Sequence, residues 1–187
     1  MKTTILPFSG QSVLFAGLLA TILGSNGCVT PTVDSPDLFN GKDLDGWQVT
    51  DFAGGGKIEV KDGEIHIAMG ELISGINLAH QNIPHTNYEL SAEAIKVDGN
   101  DFFCGLTFPV GDTFASFIPG GWGGTVVGIS SIDGMDAAEN ETATFKKFDN
   151  NRWYRFRVRV TPGKIQCWVD DEMAVDLLLE DRAIALR

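Results

Sequence analysis

Cysteine is scarce in this chain of 187 residues, which contains only Cys28, Cys104 and Cys167. The chain has neither a C-x-x-C pair nor the Cys/His spacing of a zinc site, so both kinds of motif are excluded. Cys104 and Cys167 lie in the apolar, strand-like stretches FFC and IQCW. A disulfide would require their Cα atoms to lie within about 7 Å of each other, and nothing in the spacing indicates this. We expect two buried free thiols.

Basic residues are also in deficit, with 14 Lys and Arg against 25 Asp and Glu and a formal net charge of −11. A protein of this charge repels phosphate backbones and anionic lipid headgroups. The composition therefore argues against nucleic acid as a partner, and against binding to a membrane surface through charge.

Histidine is limited to His66, His80 and His85, and the familiar catalytic motifs are missing. No G-x-S-x-G, H-E-x-x-H or phosphate-binding loop occurs. His66 shares a predicted strand face with Glu64, which makes it the strongest histidine candidate for a general base. The plainer interpretation is a surface histidine.

The chain has one strongly apolar run, residues 13–23 (VLFAGLLATIL), which is too short to span a bilayer. It follows Lys2 and precedes small residues, which is the pattern of a signal peptide over residues 1–27. The residues before Cys28 resemble a bacterial lipoprotein cleavage site. We predict export with a lipid anchor on Cys28 and a tether over residues 28–36, with cleavage and release as the alternative.

Glycine and phenylalanine are plentiful, with 22 and 12 residues, and the rest of the chain alternates short apolar patterns with turn residues. Asp62-Gly63 is a hairpin turn, residues 71–76 and 102–108 suggest further strands, and residues 153–160 place Arg155, Arg157 and Arg159 opposite an apolar row. Short strands separated by turns predict an all-β sandwich of antiparallel sheets.

The opening of the predicted domain carries the most specific pattern. Residues 38–47 read L-F-N-G-K-D-L-D-G-W, and residues 153–172 read WYRFRVRVTPGKIQCWVDDE. Together they resemble the 3-keto-disaccharide hydrolase family (domain of unknown function 1080). The resemblance implies a concanavalin A-like jelly roll over residues 37–187. It also implies further strands after Arg187, so we expect a C-terminally truncated domain with an unpaired sheet edge.

The resemblance further implies activity on glycosides whose C3 hydroxyl has been oxidised to a ketone. Such a ketone acidifies the C2 proton, so a base can remove that proton and expel the aglycone, after which water adds. The chemistry requires a base, an acid near the leaving oxygen and a group that polarises the ketone.

This chain departs from the family in its middle, where it reads TFASFIPGGWGGTVVG at residues 113–128 while many members carry Glu, Gln and Asp. Catalytic residues are therefore not transferred from the family. Residue type and expected placement instead give five catalytic candidates: Glu71, His66, Glu93, Asp133 and Arg155.

Binding residues form a second set of candidates. Trp122 among glycines, and Trp168, could each stack on a sugar ring, and Trp122 could equally fold onto the sandwich. Asp133, Asp136 and Glu139 offer oxygen ligands for calcium, although an ordinary solvated loop is the simpler interpretation. The expected partner is a carbohydrate. A non-catalytic carbohydrate-binding module and a structural surface lipoprotein domain remain as alternatives to the enzyme.

Overall fold

The computed structural model describes residues 2–7, 37–79 and 82–186, and for residues 2–7 it describes the backbone alone. Its strands are β1 (Lys2–Pro7), β2 (Trp47–Val49), β3 (Ile58–Lys61), β4 (Glu64–Ile67), β5 (Ile76–Leu78), β6 (Tyr88–Ile95), β7 (Leu106–Val110), β8 (Thr113–Gly121), β9 (Val126–Ser130), β10 (Thr144–Phe145), β11 (Trp153–Thr161), β12 (Lys164–Val169) and β13 (Glu172–Leu178). Within these described ranges there is no helix long and apolar enough to cross a membrane.

The larger sheet has the order β1-β6-β11-β12-β13, and every pairing in it is antiparallel. Its alternation follows the sequence: Phe156, Val158 and Val160 of β11 are buried, and the arginines between them point to the other face. Consecutive side chains of a strand point to opposite faces of the sheet. A sequence that alternates apolar residues with arginines therefore gives one buried face and one charged face. The prediction that this strand places its arginines opposite a buried apolar row is confirmed.

The smaller sheet has the order β10-β9-β8-β7, and its inward residues meet those of the larger sheet. The rings of Phe117 in β8 and Phe156 in β11 lie 6.4 Å apart, edge to face. Tyr88 of β6 donates its hydroxyl to the carbonyl of Pro109 in β7 at 2.6 Å, which satisfies a buried polar group across the two layers. The sandwich prediction is confirmed.

An aromatic cluster fills one end of the core. The Phe103 ring lies 5.4 Å from Phe148, 5.8 Å from Tyr154 and 5.6 Å from Phe156, all edge to face. The Tyr154 hydroxyl accepts the Asp149 amide at 2.8 Å. Cluster packing of this kind adds about 0.5–1.5 kcal/mol per pair beyond the area that it buries.

Both described cysteines are free thiols, as predicted; Cys167 is buried as expected, while Cys104 is only half-buried. Burial raises the pKa of the Cys104 thiol to about 11 and that of the Cys167 thiol well above its usual value. Since the thiolate is the reactive form, neither side chain suits a nucleophilic role.

The opening segment packs one side of the domain. Phe39 is buried and Leu38 contacts the core, while the Trp47 indole donates to the Leu38 carbonyl at 2.9 Å. The Asn40 side chain accepts the amides of Lys42 and Asp43 and so forms a turn. The opening segment thus places apolar side chains against this side of the domain.

Two small two-stranded sheets lie beside the sandwich: β2 pairs with β5, and β3 pairs with β4 as a hairpin. The β3–β4 turn is the predicted Asp62-Gly63 pair, with φ of 53° and 78° as a two-residue hairpin turn requires. The strand predicted over residues 71–76 is wrong: the strand there is β5, Ile76–Leu78, which pairs with β2, and residues 71–75 form a connection.

Residues 2–7, which belong to the predicted leader, form β1 along the outer edge of β6. The rest of that leader, Cys28, the tether and His80 lie outside the described residues, so export and lipidation stay predictions.

The aromatic cluster should dominate the stability of the sandwich. We expect Phe156→Ala to lower the free energy of unfolding by about 3–5 kcal/mol, because it removes a fully buried ring and leaves a cavity between the sheets. Urea unfolding followed by fluorescence measures this change. Trp153→Ala, at an exposed position of the same strand, is the control and should cost little; equal losses in both variants would contradict the packing described here.

Candidate functional site

The outer face of the larger sheet carries a dense group of polar side chains. Strand register sets them in rows, with Glu93 opposite Arg155, Ser91 opposite Arg157 and Glu89 opposite Arg159. Strand β12 continues two of these rows, since Trp168 lies opposite Arg157 and Gln166 lies opposite Arg159. We call this set the arginine face: Glu89, Ser91, Glu93, Arg155, Arg157, Arg159, Gln166 and Trp168.

Glu89 is the buried centre of the arginine face. Its Oε2 accepts Arg159 Nε at 3.1 Å and Nη2 at 2.8 Å, and its Oε1 lies 3.5 Å from Arg157 Nη1. Glu89 is 8% exposed, and a carboxylate at that depth is stable only when it is paired. The two guanidinium groups are therefore fixed in place by one acid.

Trp168 lies beneath the same two arginines. The Arg157 and Arg159 guanidinium carbons are 4.7 Å and 5.2 Å from the centre of its ring, which is the geometry of cation–π contacts. Trp168 is buried, so the ring predicted as a sugar platform serves as the support of the arginine pair. At this tryptophan the pairing of β12 with β13 is also irregular, because its register shifts between Cys167 and Trp168.

The other end of the arginine face is open. Arg155 binds Asp171 at 2.7 Å, and its backbone amide donates to Asp170 at 3.0 Å. Glu93 is exposed and makes no hydrogen bond or ion pair with any side chain that the structure describes. An arginine row on a solvated strand face is expected to pair with acids of the neighbouring strand. Glu89 does so, but Arg155 pairs with Asp171 in the β12–β13 turn and not with Glu93, which lies opposite it in register.

This arrangement places a carboxylate that has no partner among the described side chains next to fixed cations. An exposed carboxylate can accept a proton from a bound molecule, and guanidinium groups stabilise negative charge that develops on a nearby oxygen. Ser91, between Glu89 and Glu93 on β6, adds a hydroxyl to the same face. The arginine face can thus provide a base and an electrostatic partner for an oxyanion.

The remaining catalytic candidates lie elsewhere. His66 is 3.8 Å from Glu64 on the β3–β4 hairpin, as the shared strand face predicted. Glu71 packs over Gly54, where an added Cβ would come within 2.9 Å of its carboxyl group. Of the five catalytic candidates, only Glu93 and Arg155 belong to the arginine face.

The acidic loop after β9, residues 131–143, is organised by Asn140, which is not among the predicted site residues. Its buried amide donates to the carbonyls of Ile129, Met135 and Asp136, and its oxygen accepts the Thr142 amide and hydroxyl. An amide with both ends satisfied in this way holds the loop against β9. The loop is an ordered part of the sandwich.

Asp133 anchors the C-terminal segment to this loop. It accepts Arg182 Nη1 at 2.8 Å and the Ala183 amide at 2.8 Å, and Arg182 also binds Glu141. The Ala183 amide, followed by the Arg182 guanidinium, holds the pKa of Asp133 below its usual range.

Calcium binding through Asp133, Asp136 and Glu139 finds no support in this arrangement. Throughout the described ranges, no three His, Cys, Asp or Glu side chains are grouped so that they could hold a metal ion. The calcium site therefore stays a prediction without an assembled set of ligands.

An exposed aromatic pair lies at the end of the smaller sheet. Phe102 and Trp122 have ring centres 5.0 Å apart and are 54% and 37% exposed. Trp122 has a φ of 41°, and the Asp101 carboxylate accepts the following Gly123 amide at 2.8 Å. Gly124 is required at this turn, because an added Cβ would lie 2.6 Å from the Asn100 carbonyl.

Phe102 is absent from the predicted site residues because its stretch was interpreted as one continuous strand over residues 102–108. The strand begins only at Leu106, and the four residues before it form a connection that turns Phe102 outward. The turn residues at 98–101 could have indicated this.

A family model described as 3-keto-alpha-glucoside-1,2-lyase-like domain matches residues 34–185. The match covers both stretches on which the resemblance was based, together with the arginine face and the aromatic pair. Comparisons with curated proteins and with solved structures gave no significant match.

The Asp133 contacts predict a pH-dependent anchor for the C-terminal segment. Because the folded-state pKa of Asp133 is lowered, its stabilisation is present above the unfolded value of about 3.9 and is lost as the pH falls through the folded value. We expect Asp133→Asn to lower the urea midpoint at pH 6 but not near pH 2. Asp112→Asn, at an exposed turn, is the control; a difference that persists undiminished at the lower pH would contradict this linkage.

Proposed function

The chain belongs to the 3-keto-alpha-glucoside-1,2-lyase-like domain family, and we propose that it cleaves 3-keto-glycosides on the arginine face. Family membership supports a carbohydrate as the ligand. The arginine face supports the reaction, because it combines an exposed carboxylate with cations suited to a ketone oxygen.

In the proposed reaction Glu93 removes the proton from C2 of the keto sugar. The electrons of that C–H bond form the C2=C3 double bond of an enolate, and Arg155 and Arg157 stabilise the charge on its oxygen. Collapse of the enolate forms a C1=C2 double bond and breaks the bond from C1 to the aglycone oxygen, which leaves as an alcohol after taking a proton from Glu93 or water. Addition of water across C1=C2 then gives the free 3-keto sugar.

One observation carries this assignment: Glu93 is the exposed acid of the arginine face, it has no partner among the side chains that the structure describes, and it lies directly opposite Arg155. Glu89 is unsuited to the same role because two arginines already occupy its oxygens. Its contribution is to hold Arg157 and Arg159 in position over Trp168.

Replacement of the base tests the proposal. We expect Glu93→Gln to reduce turnover of a chromogenic 3-keto-glucoside by about 10²–10⁴-fold, the usual contribution of a general base, without a change in the urea midpoint. Glu71→Gln is the matched control, because Glu71 is an exposed glutamate away from the arginine face, and it should keep full activity. Loss of activity in Glu71→Gln alone, or no turnover by the folded wild type, would overturn the proposal.

A second function, carbohydrate binding without cleavage, is favoured by the exposed Phe102–Trp122 pair. Aromatic rings that remain open to solvent can stack on the apolar face of a sugar, and the Gly123–Asp101 contact fixes the turn that presents them. This candidate accounts for the lack of acidic residues along residues 113–128.

The two functions differ in which side chains they require. If the pair is the binding site, Trp122→Ala and Phe102→Ala should each weaken oligosaccharide binding by about tenfold, or 1.4 kcal/mol, in isothermal titration calorimetry. Trp153→Ala removes a comparably exposed tryptophan elsewhere and should have no effect. Unchanged affinity in both variants would exclude the aromatic pair.

A further inference from the structure

A cleft of about 280 Å³ separates the β2–β5 pair from the β3–β4 hairpin, away from both surfaces described above. Its lining includes Thr50, Asp51, Phe52, Ile58, Ser74 and Gly75. This volume is near the lower end of the range of about 300–1,000 Å³ that small-molecule sites occupy. It suits a ligand the size of a single sugar ring.

Hydrogen bonds hold the walls of the cleft. Within the β2–β5 wall, Thr50 donates its hydroxyl to Asn77 at 2.6 Å, and its amide donates to the Gly75 carbonyl at 2.9 Å. The Ser74 hydroxyl accepts the Gly56 amide at 2.8 Å and so links the segment before β5 to the segment before β3. The cleft is therefore part of the fold and does not require a ligand to form it.

Glycine is required at two positions of the cleft for different reasons. At Gly56 an added Cβ would lie 2.3 Å from the Ala68 carbonyl, so glycine there allows two backbone segments to lie close together. At Gly75 it would lie 3.3 Å from the Phe52 ring and would narrow the space beside that ring. Gly75 therefore keeps the space beside Phe52 open.

The lining combines one aromatic ring with hydroxyls and one acid. Phe52 and Ile58 supply an apolar wall, and Thr50, Ser74 and the exposed Asp51 supply hydrogen-bonding groups. No Lys or Arg is among the described residues that line it, and nearby Lys57 is paired with Glu59. An acidic cleft of this kind repels phosphates and carboxylates and suits a neutral polyhydroxylated ligand.

We propose that this cleft binds one neutral sugar ring, with the ring stacked on Phe52 and a sugar hydroxyl donating to Asp51. A hydroxyl bound to a carboxylate forms a charge-assisted hydrogen bond, stronger than a bond between neutral groups. This binding requires neither cleavage on the arginine face nor the Phe102–Trp122 pair.

The probe is methyl α-D-glucoside, added to the ¹⁵N-labelled protein and followed by amide chemical shifts. We expect shifts at Asp51, Gly55 and Ser74, and at least tenfold weaker binding in Phe52→Ala and in Asp51→Asn. Asp51→Asn keeps the shape of an exposed side chain. It therefore tests the site even where Phe52→Ala perturbs the segment between β2 and β3. Phe114→Ala, on the smaller sheet, is the matched control.

Glucuronate is the anionic counterpart of the probe and should not bind. Equal binding of glucuronate, shifts confined to other surfaces, or unchanged affinity in Asp51→Asn would overturn the proposal. Because methyl α-D-glucoside has no ketone, it is not cleaved by the proposed reaction, and a failure of that reaction leaves the outcome here unaffected.

Discussion

The two-residue alternation of β11 is the constraint on which the rest of the structure depends. Its apolar residues, Phe156 among them, form the centre of the core, and its arginines form the centre of the outer face. A shift of one residue in its register would exchange the two sets. The hydrophobic burial that stabilises the sandwich therefore also fixes where the arginines lie.

The outer face stays ordered because one buried acid, Glu89, pairs with both Arg157 and Arg159. Glu89 is buried, while the Arg157 and Arg159 side chains are 25% and 30% exposed. Removing one partner of a fully buried ion pair costs about 3–5 kcal/mol, and solvent around these arginines brings the cost below that range. The contacts with Trp168 hold both guanidinium groups flat against the sheet, so they are positioned before any ligand arrives.

Local patterns in the sequence predicted the features that depend only on residues close together in the chain. The Asp62-Gly63 turn, the alternation of β11 and the free thiols all follow from such patterns, and the family resemblance added the jelly roll. These local patterns could not predict contacts between residues that are far apart in the chain. Nothing near Arg155 indicates that Asp171 would be its partner, and the depth of Trp168 depends on arginines that reach it from a neighbouring strand. Phe102 was missed because an apolar run does not show where its strand begins.

The pairing of β6 with β11 has a consequence for how the domain folds. Trp153 lies opposite Ile95, so even the nearest paired residues are 58 positions apart in the chain. Closing so long a loop is entropically costly before any contact compensates it, and sheets built from distant strands fold slowly. The arginine face lies on the same β6–β11 pair as the core residues, so it forms in the same slow step that brings these two distant parts of the chain together.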